Sequence, residues 1–274
     1  MEVGFHTIHF SPMFGGSAQI MDVIGLTADA GFGAIGLDQA SVAAHVAANG
    51  AVEDVAAAIH DRGLRCTDVL VLVPGADDDP VATARSLGAL AAAVGAPTCI
   101  AAVASPVPWA ELVATLGHCA SILADHGCRL AIEFTPYTAL TTLRAARELC
   151  GAIGWDRCGL VLDSLHFFRC GAPWAELADL AAEQIAVVQW DDAPAAPSAS
   201  LVDESRNHRL LPGAGGLDLV GLATAIRATG WDGVVTAEVL SAEVRRSDPA
   251  TVITATHAAM SSAAAGWRPT SGAG

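Results

Sequence analysis

Eight short apolar runs, each followed by a stretch with helical spacing of apolar residues, recur along this chain and limit its fold more than any other feature. They read VGFHTIHF, GAIGLDQA, RCTDVLVLV, PTCIAAVA, CRLAIEF, CGLVLDSLHF, IAVVQWDD and GVVTAEVL. The repeat unit is about thirty residues, the period of a strand and its returning helix, which predicts parallel pairing and closure into a single (β/α)8 TIM barrel. Glycine precedes the strand in AGFGAIGL, RGLRCTDV, VGAPTCIA, HGCRLAIE and TGWDGVVT, where a left-handed helix end is least costly. No GxGxxG follows the first run, which counts against a doubly wound open sheet. The barrel is expected over residues 1–265 and a flexible tail over 266–274. The proline-rich segment DDAPAAPSASLVDESRNHRLLPGAGG, after the seventh strand, is long enough to serve as a lid.

Charge and composition remove whole classes of function. The 274 residues carry 14 basic and 29 acidic groups, a formal charge of −15, and every basic residue is arginine. Without lysine, Schiff-base and pyridoxal chemistry are excluded. No basic stripe is present to neutralise a phosphate backbone, so no nucleic acid partner is expected. No run reaches the ~20 apolar residues that span a bilayer, so no membrane partner is expected either. The seven cysteines are odd in number and lack a CxxC pair, which suits reduced thiols in a cytoplasmic protein. Alanine-rich helices could pack in a homo-oligomer or only against the barrel, and both remain open.

Four side chains end apolar runs in the second half: Glu133 in RLAIEF, Asp163 in CGLVLDSLH, Gln189 in IAVVQWDD and Glu238 in GVVTAEVLS. A parallel barrel converges such strand ends on one place, where together they could hold a single divalent metal. Any one of them alone reads equally well as a buried group bonded to a neighbour; four at equivalent positions favour a site. Three carboxylates and an amide suit Mn²⁺ or Mg²⁺, with Co²⁺ as an alternative. His166, three residues after Asp163, reaches the mouth and can donate to a substrate oxygen. Arg206, Arg209 and Arg169 can orient a carboxylate, phosphate or hydroxyl pair, or else remain loop charges. His6, His9 and Asp38 read as satisfied core groups, and Trp190 and Phe167 as packing residues.

The stretches IEFTPY, LDSLHFFRCG, VVQWDDAP, HRLLPGAGGLDL and GWDGVVTAEVLS, in that order over most of residues 129–241, resemble the xylose isomerase-like barrels. That family includes sugar and sugar-phosphate isomerases and epimerases, inosose and dehydroshikimate dehydratases, and endonuclease IV. The resemblance implies that Glu133, Asp163, Gln189 and Glu238 are metal ligands, that Glu133 and Glu238 double as catalytic acid and base, and that His166 and Arg209 bind substrate. It also exposes departures: Gln189 stands where characterised members often carry histidine, and Ala214 where an acidic residue is common in the PGxG turn. Thr135, Pro136 and Tyr137 follow the strand-five glutamate in place of a frequent asparagine.

The expected activity is isomerisation or epimerisation of a small ketose or related hydroxy ketone, by proton transfer through a metal-stabilised enediolate. The alternative is a metal-dependent lyase, a dehydratase of the inosose or 3-dehydroshikimate type. The expected partner is a sugar or cyclic polyol ketone. A nuclease would need more histidine ligands and a cationic face, and a metal-dependent binding subunit would share the barrel without turnover.

Overall fold

In the computed structural model, which describes residues 2–266, eight parallel strands close in sequence order into one barrel. They are β1 (Val3–His6), β2 (Ala34–Asp38), β3 (Arg65–Leu72), β4 (Thr98–Ala102), β5 (Arg129–Glu133), β6 (Cys158–Asp163), β7 (Ile185–Trp190) and β8 (Val235–Ala237). Each lies within one of the eight runs, and the closing pair is β1 with β8, Val3 opposite Val235. The glycines expected to stop helices do so with positive φ: +97° at Gly31, +68° at Gly63, +70° at Gly95, +73° at Gly127 and +88° at Gly230. A side chain there would be strained, so these residues end one helix and turn the chain toward the next strand. Of the segment expected as a tail, Gly266 closes the last helix, Pro249–Gly266, while residues 267–274 lie outside the described residues.

Alternation along the strands sorts side chains into two cores. Leu130, Ile132, Leu160, Leu162, Val188 and Trp190 face outward and join the large apolar layer between barrel and helices. Ala131, Val161, Val187 and Leu240 face inward and join Ile8, Leu70 and Ile100 in a small cluster inside the barrel. Each fully buried Leu or Val contributes about 1.5–3 kcal/mol, so reversing the register of one strand would be prohibitive. Two residues beyond Ala131, Val161 and Val187 come Glu133, Asp163 and Gln189, which therefore face the same interior. The packing reading of Trp190 and Phe167 is what the structure contains: both are buried in the outer layer.

The segment after β7 is fastened rather than free. Asp192 accepts hydrogen bonds from the backbone of Gly213 (3.0 Å), Gly215 (2.9 Å) and Leu217 (3.1 Å), which binds the GAGG turn to the strand end. A Cβ at Gly215 would come within 2.3 Å of both Ala193 O and Asp192 Oδ1, so this close approach requires glycine. Helix Leu201–Asn207 covers part of the same segment, and Arg169 ties it down through a two-point ion pair with Glu204 at 2.8 and 2.9 Å. Arg169 is thus a structural clamp. The six cysteines Cys66, Cys99, Cys119, Cys128, Cys150 and Cys158 are free and buried, and Cys170 is free and partly exposed. No single helix among the described residues is long and apolar enough to cross a membrane.

Candidate active site

The four strand-end residues meet at the carboxyl end of the barrel, and the register explains why. Asp163 on β6 pairs with Gln189 on β7, and Gln189 with Thr236 on β8, two residues before Glu238. Glu238 lies just past the short β8, where its N–H donates to Trp190 O at 3.1 Å. The next N–H, of Val239, donates to His9 Nε2 at 3.0 Å, while His9 Nδ1 is 2.7 Å from His6 O. His9 thus acts as a backbone clasp beside Glu238. Burial is the main cause that pushes the His9 ring down to about 3, so it stays neutral.

Arg209 is the centre of the cluster. Its Nη1 donates to Asp163 Oδ2 at 2.7 Å, Asp191 Oδ2 at 2.7 Å, Glu238 Oε2 at 3.0 Å and Glu238 O at 3.1 Å. Its Nε donates to Ser205 O at 2.8 Å, which anchors the guanidinium to helix Leu201–Asn207. Burial opposes the charge, but Asp163, Asp191 and Glu238 together raise the Arg209 pKa well above its ordinary value. Arg206, three residues earlier, lies exposed on that helix and is not among the groups gathered here.

One guanidinium faces four carboxylates: Glu133, Asp163, Asp191 and Glu238. Asp163 keeps its charge best. Burial works against it, yet Arg209, His166 and the His166 N–H at 2.8 Å hold its carboxyl below the ordinary range. The other three are pushed up, chiefly by burial. Glu133 rises to about 8, with Asp163 adding to the effect. Glu238 rises to about 8 although Arg209 opposes it, and Asp191 to about 7, again with Asp163 contributing. One positive charge cannot compensate four negative ones in a water-poor interior, so such a cluster holds protons or takes up a cation.

The donors fit a divalent ion. Glu133, Asp163 and His166 each offer one ligand atom, and these atoms lie within 4.8 Å of one another. Gln189 donates through Nε2 to Glu238 Oε1 at 2.9 Å, which leaves its buried Oε1 without a hydrogen-bond partner. A buried amide oxygen with no donor is costly unless something electropositive approaches it. His166 is also buried, with Nδ1 unsatisfied and Nε2 at 3.7 Å from Glu133 Oε1. Burial, with Arg209 adding, pushes its ring down to about 4 against the pull of Asp163.

Asp191 and Ser205 were not expected at the site, and Tyr137 was expected only as a departure from the family pattern. Asp191 lies two residues after Gln189, on the same face by strand parity, and accepts from Ser164 Oγ and Leu165 N. That spacing was the available signal, obscured by the adjoining Asp192. Tyr137 sets its ring edge against His166 at 5.7 Å and shares a 2.7 Å hydrogen bond with Ser205. Nothing local in the sequence indicated that Tyr137 and Ser205 would meet. His6 and Asp38 are satisfied groups: His6 Nε2 lies 3.0 Å from Asp68, and Asp38 accepts from Thr7, Ser11 and the Ser41 N–H.

Comparison with known proteins gives this site a family. Inosose isomerase of Bacillus velezensis is 32% identical over 124 residues, 44% of this chain and 43% of that protein. A 3-dehydroshikimate dehydratase of Pseudomonas aeruginosa is 32% identical over 119 residues, 43% of this chain and 19% of that protein. The chain thus spans less than half the length of these curated relatives. Among solved structures, that of the IolI protein with a zinc atom superposes with a TM-score of 0.87 at 19% identity, covering 98% of this chain and 100% of that one. An L-ribulose 3-epimerase superposes at 0.76 with 19% identity, covering 100% and 99% respectively. These two likenesses establish the fold. The sequence model for the xylose isomerase-like TIM barrel matches residues 24–262, and the chain belongs to that family.

Proposed function

We propose that this protein is a divalent-metal-dependent isomerase or epimerase acting on a small ketose or related hydroxy ketone. The observation that carries the reading is the placement of two glutamates, partly buried Glu133 and buried Glu238, three strands apart around the barrel and beside the same cluster. A carboxylate held on each side of a bound substrate can take a proton from it or, once protonated, return one. One glutamate removes the proton from the carbon beside the substrate carbonyl; the other returns a proton, either to the opposite face of that carbon or to its neighbour. The first outcome is epimerisation and the second is aldose–ketose exchange.

Glu133, Asp163, Gln189 and Glu238 are the residues that would hold the metal, with Mn²⁺ or Mg²⁺ favoured by an all-oxygen set and Co²⁺ as an alternative. When bound, the ion supplies positive charge beside the carbonyl oxygen and so lowers the cost of removing the adjacent proton. His166 is neutral and buried, suited to hydrogen-bond a substrate oxygen. Arg209 balances the carboxylates and offers Nη2, 3.4 Å from His166 Nε2, toward the same space. Arg206 keeps a substrate role only for a ligand long enough to reach the rim. Zinc, named with the IolI structure, is a further candidate, because the His166 nitrogen lies among the close ligand atoms and Zn²⁺ accepts carboxylate and imidazole donors.

A second reading rests on the similarity to 3-dehydroshikimate dehydratase: the same carboxyl pair could expel water from the carbon β to a ketone. The deciding experiment joins metal analysis of the purified protein with solvent-deuterium exchange over ketoses, inososes and cyclic β-hydroxy ketones, read by mass spectrometry. Deuterium beside the carbonyl with unchanged skeleton supports the isomerase; loss of one water selects the lyase. Absence of both metal and exchange overturns both readings.

A further inference from the structure

Arg62, Arg65, Arg144, Arg157, Arg169 and Arg209 each lie beside a carboxylate. Arg129, Arg147, Arg245 and Arg246 are bonded instead to neutral acceptors, and of these four Arg245 and Arg246 are adjacent in the chain and line one crevice, although the whole chain carries a formal charge of −15. Arg245 Nη1 donates to Arg206 O at 2.8 Å and Nη2 donates to Asn207 Oδ1, while Arg246 Nε donates to Ala242 O at 2.7 Å. These bonds aim the guanidinium groups without neutralising them. Arg206, exposed alongside, adds a third positive charge.

The pair lines a crevice of about 500 Å³ with Phe14, Gly15, Asp203, Asn207, His208 and Ala242. Its one carboxylate is already engaged: Asp203 accepts from Asn207 Nδ2 at 2.8 Å and lies 3.0 Å from His208 Nε2. Burial, reinforced by the like charge of Arg246, holds Arg245 below the ordinary arginine value. Two adjacent guanidinium groups with unused N–H donors are the arrangement that recognises planar or tetrahedral oxyanions.

The crevice adjoins the candidate active site. His208 bridges to Ser241, and the next N–H, of Arg209, donates to Leu240 O at 3.1 Å, so one backbone ladder carries both the rim and the central guanidinium. Phe14, which also lines the crevice, packs onto the inner-barrel cluster. We propose that this crevice is an oxyanion subsite, in which Arg245 and Arg246 hold a carboxylate or phosphate monoester carried by the substrate. The assignment rests on the isomerase reading for the word substrate; the anion site itself does not.

Two measurements test it. In the first, inorganic phosphate is titrated into the full chain at constant ionic strength while the arginine Nε–H resonances are followed by NMR. The Arg245 and Arg246 signals, identified with R245K and R246K, should shift saturably, and R246Q should weaken binding roughly tenfold. No saturable shift, or an affinity unaltered by R246Q, overturns the anion site whatever reaction the protein catalyses. In the second, turnover is compared for hydroxy ketones that differ only in bearing a phosphate, a carboxylate or a hydroxyl. R246Q should cut the preference in kcat/KM for the anionic substrate over the neutral one by about tenfold, chiefly through KM, and the larger preference identifies which anion is native. Phosphate binding at the arginines with no change in that preference overturns the substrate assignment and shows the anion to be a separate small ligand.

Discussion

Inside β1 to β3, buried polar groups settle their needs among themselves: His6 meets Asp68 at 3.0 Å, and Asp38 takes hydrogen bonds from Thr7 at 2.7 Å, Ser11 at 2.6 Å and the Ser41 N–H at 2.9 Å. Across β5 to β8 the arrangement is different. Three carboxylates, Asp163, Asp191 and Glu238, share one guanidinium while Glu133 lies nearby without a bond to it, and Gln189 Oε1 and His166 Nδ1 are buried without a hydrogen-bond partner. Both halves come from one strand–helix repeat, so the fold does not account for the contrast. A closed set of partners stabilises a barrel, whereas an open set stores an unmet demand that a ligand or proton can answer. Polar burial by itself therefore marks no site; the surplus of unmatched charge does.

The largest test of this contrast is Glu238→Gln. If the open half is the reaction centre, turnover falls by roughly 10³-fold while the thermal midpoint stays near that of the parent protein. Activity near the parent value would remove Glu238 from the chemistry.

Arg209→Met comes next. It strips the Arg209 guanidinium from Asp163, Asp191 and Glu238, and breaking a buried ion pair from one side costs about 3–5 kcal/mol. Urea unfolding of the metal-free protein should show that loss. A change of only a few tenths would mean the carboxylates are protonated in the folded state and need no partner.

Asp68→Asn probes the closed half and gives the smallest effect: about 1.5–3 kcal/mol of stability, from a charge-assisted bond, with turnover within a few-fold of the parent. Its pH dependence has a definite sign. Burial works against the His6 charge, yet the Asp68 charge and hydrogen bond together raise the ring above 6.5. The stability that this protonation contributes is present below the unfolded value and is lost as pH rises through the folded one. The gap between parent and variant should therefore be widest below pH 6.5 and narrow as pH rises through the elevated folded value of the ring. A gap independent of pH would show that the pair acts as a neutral hydrogen bond.

Much of the barrel was written locally. Each expected strand appears, and the five helix-ending glycines adopt positive φ, because period and backbone permissiveness are properties of a few adjacent residues. The inward direction of Glu133, Asp163 and Gln189 follows from strand parity in the same way. The segment expected as a lid is instead pinned by Asp192, whose carboxylate reaches 21 to 25 residues ahead to the turn around Gly213–Leu217. A proline-rich composition conveys nothing of such a clamp.

The sequence by itself determined the repeat, the closure of the sheet and the strand ends that carry polar groups, since helix and strand periods are read over one or two turns of chain. Only the tertiary structure decided what those groups do to one another. Arg209 lies 46 residues from Asp163 and 29 from Glu238 along the chain, yet bonds both with one nitrogen. Arg206, about one helical turn earlier, is exposed. The balance of charge in the interior depends on which distant side chains share a small water-poor volume, and that volume exists only after the barrel has closed.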